Sequence, residues 1–475
     1  MRRARYVAIA ASPLVLAALY GAGAAPAATA ATHTAAGIPP AAGVTRPGAV
    51  HAVRAAVSAQ PLTTAQCVAQ FKFECLNAAQ IQQAYNLKPL YNQGITGQGE
   101  TIVIVDSFGS PTIASDLAAF DQAFKLPAPP SLKVIQPAGK VPAYDPNDPT
   151  MRGWAGETTL DVEYAHVIAP GASILLAETP VAETEGVTGF PQIVRAETYV
   201  VNHHLGGVIS QSFGAAEPTF PSAAALRALR GAYTDAAANH VTVLAATGDA
   251  GASGFNAAGT GFYTKRVESW PSIDPLVTAV GGTELNYNLT SGAFARPVAW
   301  NDTTNVAVNQ YSFGNNGPNP FATGGGLSSI FSRPAYQNGV TGVVGVKRGM
   351  PDISMSGGCA SRVDVYEGFG GVTPGWYIHC GTSESAPLFA GIVALADQVA
   401  GHALGPINPA LYAMATAHAP GIVDVTSGNN TVSFTQGGAL HTVTGFRAKA
   451  GYDLVSGIGT VNAALFVPEL AKAAG

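Results

Sequence analysis

Thr101-Ile-Val-Ile-Val-Asp106 is a short β-branched run that ends on an acid and follows a glycine turn, Gly97 to Gly99. So short and so apolar a segment reads as a strand buried on both faces. Working outward, helical patterns occur at Asn77 to Asn86, Ser115 to Phe124, Ala155 to Val167, Gln192 to His203 and Ala223 to Ala238. Between them lie strand-like runs at Ala172 to Ala177, Gly207 to Ser212, Val241 to Ala246 and Val277 to Val280. Strands alternating with helices predict an α/β fold, a parallel sheet with helices on both faces. With 55 glycines and 33 prolines the loops must be long, and the insertion Asn286 to Gln337 is assigned to the same single domain.

Composition narrows the class. Hydrophobic residues make up 47% of the 475, enough for a large core. Charged residues are 11%, where about a quarter is usual. The net charge of −5 leaves neither a basic patch for nucleic acid nor a long acidic tail. Few surface carboxylates also means less stability to lose in acid. At the N-terminus Arg2, Arg3 and Arg5 precede the uncharged stretch Tyr6 to Tyr20 and a run of small residues, the pattern of a signal peptide over 1–31. The apolar run is too short for a membrane anchor, and no other segment has the ~20 residues of a span. A secreted protein is expected. Residues 32–65, rich in Ala, Pro, Thr and Gly, read as a flexible leader or short pro-segment, and 66–475 as the folded domain. The four cysteines suit an exported chain. Cys67 lies near Cys75, and Cys359 near Cys380, so these local pairings are favoured among the three connectivities. Metal binding is the alternative, but there is no Cys-x-x-Cys spacing.

Chemistry centres on Cys380-Gly-Thr-Ser-Glu-Ser-Ala-Pro387. Ser383 follows a Gly-Thr turn and precedes the helical stretch Ala386 to Ala400, where free backbone N–H groups and the positive helix end can hold an oxyanion. A capping serine fits the same place. A nucleophilic serine needs a base. None of the ten histidines, His166, His203, His204 and His379 included, sits in a His-Gly-Thr type of motif. Carboxylates serve better. Glu157 and Asp161, one helical turn apart, share a face, where like charges repel and lead the pair to share a proton. Leu160 and Val167 argue that this helix is buried rather than a solvated acidic face. A lightly perturbed Glu stays ionised in mild acid, where histidine is charged and useless as a base. Asp249, in Thr247-Gly-Asp-Ala-Gly251 at a strand's C-terminal end, either caps its own turn or, protonated, donates to an oxyanion.

These residues resemble those of the sedolisin (serine-carboxyl peptidase) family, which has a subtilisin-like fold. The resemblance runs from about Leu76 to Phe466. It rests on Gly156-Glu-Thr-Thr-Leu-Asp161, Val208-Ile-Ser-Gln-Ser-Phe-Gly214, Thr247 to Gly251, Val277-Thr-Ala-Val-Gly-Gly-Thr283, Gly324-Gly-Gly-Leu-Ser328, Arg348-Gly-Met-Pro-Asp352, Gly381 to Pro387 and Gly451-Tyr-Asp-Leu-Val-Ser-Gly457. It implies Ser383 as nucleophile, Glu157 as general base, Asp161 orienting Glu157, and Asp249 as oxyanion acid, in an endopeptidase that works through an acyl-enzyme with an acidic optimum. It also implies one structural Ca2+, held by Asp424, Val425, Lys449, Gly451 and Asp453. Side-chain and backbone oxygens suit that ion. Lys449 stands where the family has glycine; Asp106 and Phe213 stand where some members carry Glu and Trp. A full-length folded prodomain is not expected in the leader. Protein or peptide substrates and a monomer are expected. Two rival readings are a histidine-dependent subtilisin using Asp106 and a calcium-stabilised binding protein without activity.

Overall fold

The computed structural model describes residues 58–475; the signal-peptide reading (1–31) and residues 32–57 of the leader lie outside the described residues. The first helix described, Thr64–Phe71, starts at a reciprocal cap between Thr63 and Gln66.

Eight strands form the main sheet: β1 (Thr101–Ser107), β2 (Leu132–Ile135), β3 (Ser173–Thr179), β4 (Val208–Gln211), β5 (Thr242–Ala246), β6 (Thr278–Glu284), β7 (Val298–Ala299) and β8 (Ile353–Ser356). The order runs β6-β5-β4-β1-β3-β2, with β7 and β8 both paired to β6. Every pairing is parallel except β6 with β7. The expected fold class is therefore the observed one. β1 sits centrally because Ile102, Val103, Ile104 and Val105 are wholly buried on both faces.

Six helices matter to the site: α1 (Ile113–Phe124), α2 (Pro149–Ile168), α3 (Phe190–Asn202), α4 (Gly231–Ala238), α5 (Thr382–Ala400) and α6 (Ala463–Ala474). Side-chain alternation along β1 assigns the layers. Ile102 and Ile104 pack with Leu160 of α2, Leu388 of α5 and Phe466 of α6. Val103 and Val105 pack with Ile193 of α3 and Ala236 of α4. The helix expected over Ala223 to Ala238 is two pieces, Ala223–Arg227 and Gly231–Ala238, broken where Arg230 leaves helical geometry and pairs with Asp274. Both local disulfides form, Cys67–Cys75 and Cys359–Cys380. Among the described residues no helix is long and apolar enough to cross a membrane.

Candidate active site

α2 begins earlier than its pattern suggests. Asp148 caps it by accepting from Thr150 and Met151 backbone N–H groups, and Pro149 takes the first turn, where its missing N–H costs nothing. From Trp154 to Ile168 every residue is buried. Glu157 and Asp161 thus lie mid-helix inside the protein, one turn apart and facing the same way. Both Glu157 oxygens lack a hydrogen-bond partner; Asp161 Oδ1 accepts from Ser212 Oγ at 2.9 Å, and its Oδ2 has no partner. Burial pushes the Glu157 carboxyl well above its usual range; the nearby Ser383 hydroxyl opposes this, and Asp106 and Asp249 reinforce it. Burial likewise raises Asp161, with Asp106 and Glu157 adding repulsion. Asp106, wholly buried at the end of β1, is pushed up to about 7. The lightly perturbed Glu of the sequence reading is therefore corrected: desolvation dominates, and the acids hold protons jointly.

α5 also begins earlier, at Thr382, so Ser383 occupies its first turn. The Cys359–Cys380 disulfide and the bond from Gly381 N to Gly357 O (2.8 Å) fix the preceding turn. Gly381 takes φ of 125°, and a Cβ there would collide with Asp249 Oδ2. Pro387 lies inside the helix and cannot donate to the Ser383 carbonyl. Ser212 Oγ supplies a donor instead, at 3.3 Å, while also reaching Asp161. One hydroxyl therefore ties the serine's backbone to the acid on α2. Ser212 belongs to the Val208 to Gly214 motif, which by itself assigns it no role; its place just past a strand end was the available signal.

Asp249 follows β5. Its Oδ1 accepts from Thr382 N (2.8 Å) and Thr382 Oγ1 (2.7 Å), whereas Oδ2 is buried and unpartnered. Burial pushes it up to about 7 against those two bonds. Ser383 and Asp249 open onto a cleft of about 420 Å³, whose lining includes no histidine among the described residues. Phe255 and Phe262 form part of one wall. Phe313 and Phe321, from the long insertion, form another, a contribution the sequence did not reveal. Phe213 lines the cleft too and packs against Trp154 and Phe190. His379, near Ser383 in sequence, instead meets Glu367 at 3.0 Å, and His166 meets Asp121 at 3.2 Å.

The five residues implied for calcium come together far along the chain. Gly451 N donates to Asp424 Oδ2 (2.9 Å), Lys449 N to Asp453 Oδ2 (2.8 Å), and Ser456 Oγ reaches both Asp453 Oδ1 and the Val425 carbonyl. Asp424 Oδ1 is buried and unpartnered. Lys449 does not adopt positive φ, so its backbone is one that lysine readily takes, and its side chain is exposed. Two carboxylates, backbone carbonyls and an orphaned carboxylate oxygen fit a hard cation. Among the described residues no three His, Cys, Asp or Glu side chains cluster as a metal site, and this loop has only two.

Comparison with known proteins agrees with the geometry. The Subtilase family matches residues 138–438. Kumamolisin from Bacillus sp. (strain MN-32) is 31% identical over 80% of this chain and 61% of its own length. Sedolisin from Pseudomonas sp. (strain 101) is 30% identical over 59% of this chain and 43% of its own. The chain therefore spans about three fifths or less of the curated relatives it matches first. A solved structure titled Pseudomonas sedolisin (serine-carboxyl proteinase), complexed with two molecules of pseudo-iodotyrostatin, superposes with a TM-score of 0.69 at 25% identity, over 84% of this chain and 99% of that one.

Proposed function

This chain belongs to the subtilase family, and on that footing we propose that it is a secreted serine-carboxyl endopeptidase that cleaves protein or peptide substrates in acid, as a monomer. The observation that carries the reading is that Ser383 and Asp249 line a cleft with no histidine among the described residues, while the buried carboxyls Glu157 and Asp161 lie behind Ser383, next to its hydroxyl and tied to its backbone through Ser212. Ser383 Oγ attacks the scissile carbonyl and gives its proton to Glu157, the ionised member of the pair it forms with Asp161. Asp249 donates its proton from Oδ2 in a hydrogen bond to the oxyanion. Glu157 then protonates the departing amine, and water repeats the sequence on the acyl-enzyme. Asp249 serves only while protonated, so activity falls as pH rises through about 7. That supports an acidic optimum.

The domain reading is part of the proposal: signal peptide 1–31, leader 32–65, peptidase domain 66–475. So is one Ca2+ held by Asp424 and Asp453 side chains and the Val425, Lys449 and Gly451 carbonyls. It would supply charge that stabilises the C-terminal loops. A subtilisin-type triad lacks its histidine in the cleft, and a mere binding protein leaves the buried acids unexplained. The test is cleavage of casein near pH 4 by the purified protein, beside Ser383→Ala and Glu157→Ala. Loss of activity in both supports the mechanism; full activity in both overturns it. Because relatives include tripeptidyl-peptidase sed5 from Aspergillus fumigatus, product analysis on an N-terminally blocked peptide separates internal cleavage from tripeptide release.

A further inference from the structure

The cleft is lined by two stretches far apart in sequence, the loop from Gly251 to Phe262 and the pair Gly324-Gly325. A third segment joins them from behind: the hairpin of Val432–Gln436 and Ala439–Val443, which does not itself line the cleft. Asn430, wholly buried just before this hairpin, reaches both stretches. Its carbonyl accepts from Ala252 N, next to Gly251, at 3.0 Å. Its Nδ2 donates to the Gly325 carbonyl at 2.9 Å, and its Oδ1 accepts from Phe446 N at 2.7 Å. Those partners fix which way the amide points, because Phe446 N can only donate and the Gly325 carbonyl can only accept. The approach is close: a Cβ at Gly251, where φ is +60°, would collide with Val432 and the Asn430 carbonyl. At the far end of the same strand, Gln436 Oε1 accepts from Phe262 N at 2.7 Å, and Phe434 packs on the Phe262 ring with centroids 5.3 Å apart.

We propose that Asn430 and Gln436 are positioning residues for substrate binding: acting through Gly325 and Phe262, they set the two sides of the cleft against each other and so fix the width offered to the peptide. The inference rests on the peptidase reading above. A glycine has no side chain with which to anchor itself, so its place depends on its backbone partners. Gly324 has one of its own, the Gly248 carbonyl, which its N–H meets at 2.7 Å. For the Gly325 carbonyl the partner is Asn430. The reacting groups are held by other bonds. Ala322 N donates to the Asp249 carbonyl at 2.9 Å, and Thr382 holds the Asp249 carboxyl. Ser383 is fixed by Ser212 and by the turn that the Cys359–Cys380 disulfide closes. Removing the Asn430 amide therefore frees one side of the cleft while the chemistry stays in place, which is a loss of binding rather than of turnover.

The test is kcat and KM at about pH 4, on an internally quenched casein peptide, for the full protein, Asn430→Ala and Asn430→Asp. Asn430→Ala should raise KM about tenfold, the scale of one buried hydrogen bond lost, with kcat within about twofold of wild type. Aspartate keeps the shape of asparagine, and burial keeps its carboxyl neutral in acid, so it can donate to Gly325 and accept from Phe446. Asn430→Asp should therefore return KM to near the wild-type value. An unchanged KM in Asn430→Ala overturns the role, as does a KM equally high in both variants or a fall in kcat as large as the rise in KM. Should neither variant fold, Gln436→Ala, at the half-buried end of the strand, should raise KM about threefold through Phe262, and a wild-type KM there overturns the proposal. Absence of peptidase activity in the wild-type protein overturns the peptidase reading instead, so the two failures are distinguishable.

Discussion

Asp352 and Asp161 are both wholly enclosed in the same protein, yet their environments are opposites. Asp352 receives both arms of the Arg348 guanidinium at 2.7 and 2.6 Å, the Tyr412 hydroxyl at 2.9 Å and the Ala279 N–H at 2.8 Å. Asp161 has one hydroxyl on one oxygen, nothing on the other, and two further acids beside it. A buried charge must be neutralised. At Asp352 a permanent cation does this and the result is structural. Around Asp161, Glu157 and Asp249 only protons can, and a proton can move. Under the proposed mechanism, what separates the structural acid from the reactive one is the identity of the neutralising partner, since burial is equal.

Substitutions should split along that line. The largest effect is expected from Ser383→Ala or Glu157→Gln, each lowering kcat by about 10⁴-fold or more, while thermal melting at pH 4 stays near wild type. Asp352→Ala should do the reverse: stranding the Arg348 charge costs about 3–5 kcal/mol, read by chemical denaturation of the Ser383→Ala form, which cannot digest itself. Equal stability loss at Asp161→Asn and Asp352→Ala would break the comparison. Asp249→Asn removes the acidic donor and should lower kcat by about 10²–10³-fold with little change in KM.

Stability should also follow protons. Asp106 and Asp249 are raised to about 7 in the fold, above their unfolded values. Folding therefore binds protons. This stabilisation is full below the unfolded carboxyl range and is lost as pH rises through about 7. Melting temperatures measured from pH 4 to 8 should fall along that window, and less steeply in Asp106→Asn. The smallest effect concerns the calcium loop: a chelator should lower the melting temperature by a few degrees, corresponding to about 1–3 kcal/mol, and Asp424→Ala should abolish the response to added Ca2+.

Much was legible in advance. Local pattern sufficed for β1, because a β-branched run that short has no other use, and for both disulfides, because a nearby partner closes a small loop. Local chemistry made Ser383, Glu157, Asp161 and Asp249 candidates only, and the resemblance to the sedolisin family implied their roles. Helix starts were read too late at α2 and α5, since Asp148 and Gly381 set them through backbone geometry rather than apolar spacing. The aromatic wall from the insertion had no local signal at all, and Ser212, which bridges α2 and α5, had only its place just past a strand end.

The sequence by itself determined which elements form and which side chains are candidates, because turn chemistry, periodicity and motif spacing act over a few residues. Only the tertiary structure decided which acids go without a cation, how far burial lifts their proton affinity, and which cavity each one meets. Those are properties of desolvation and of neighbours brought from distant parts of the chain, and no local reading of 475 letters contains them.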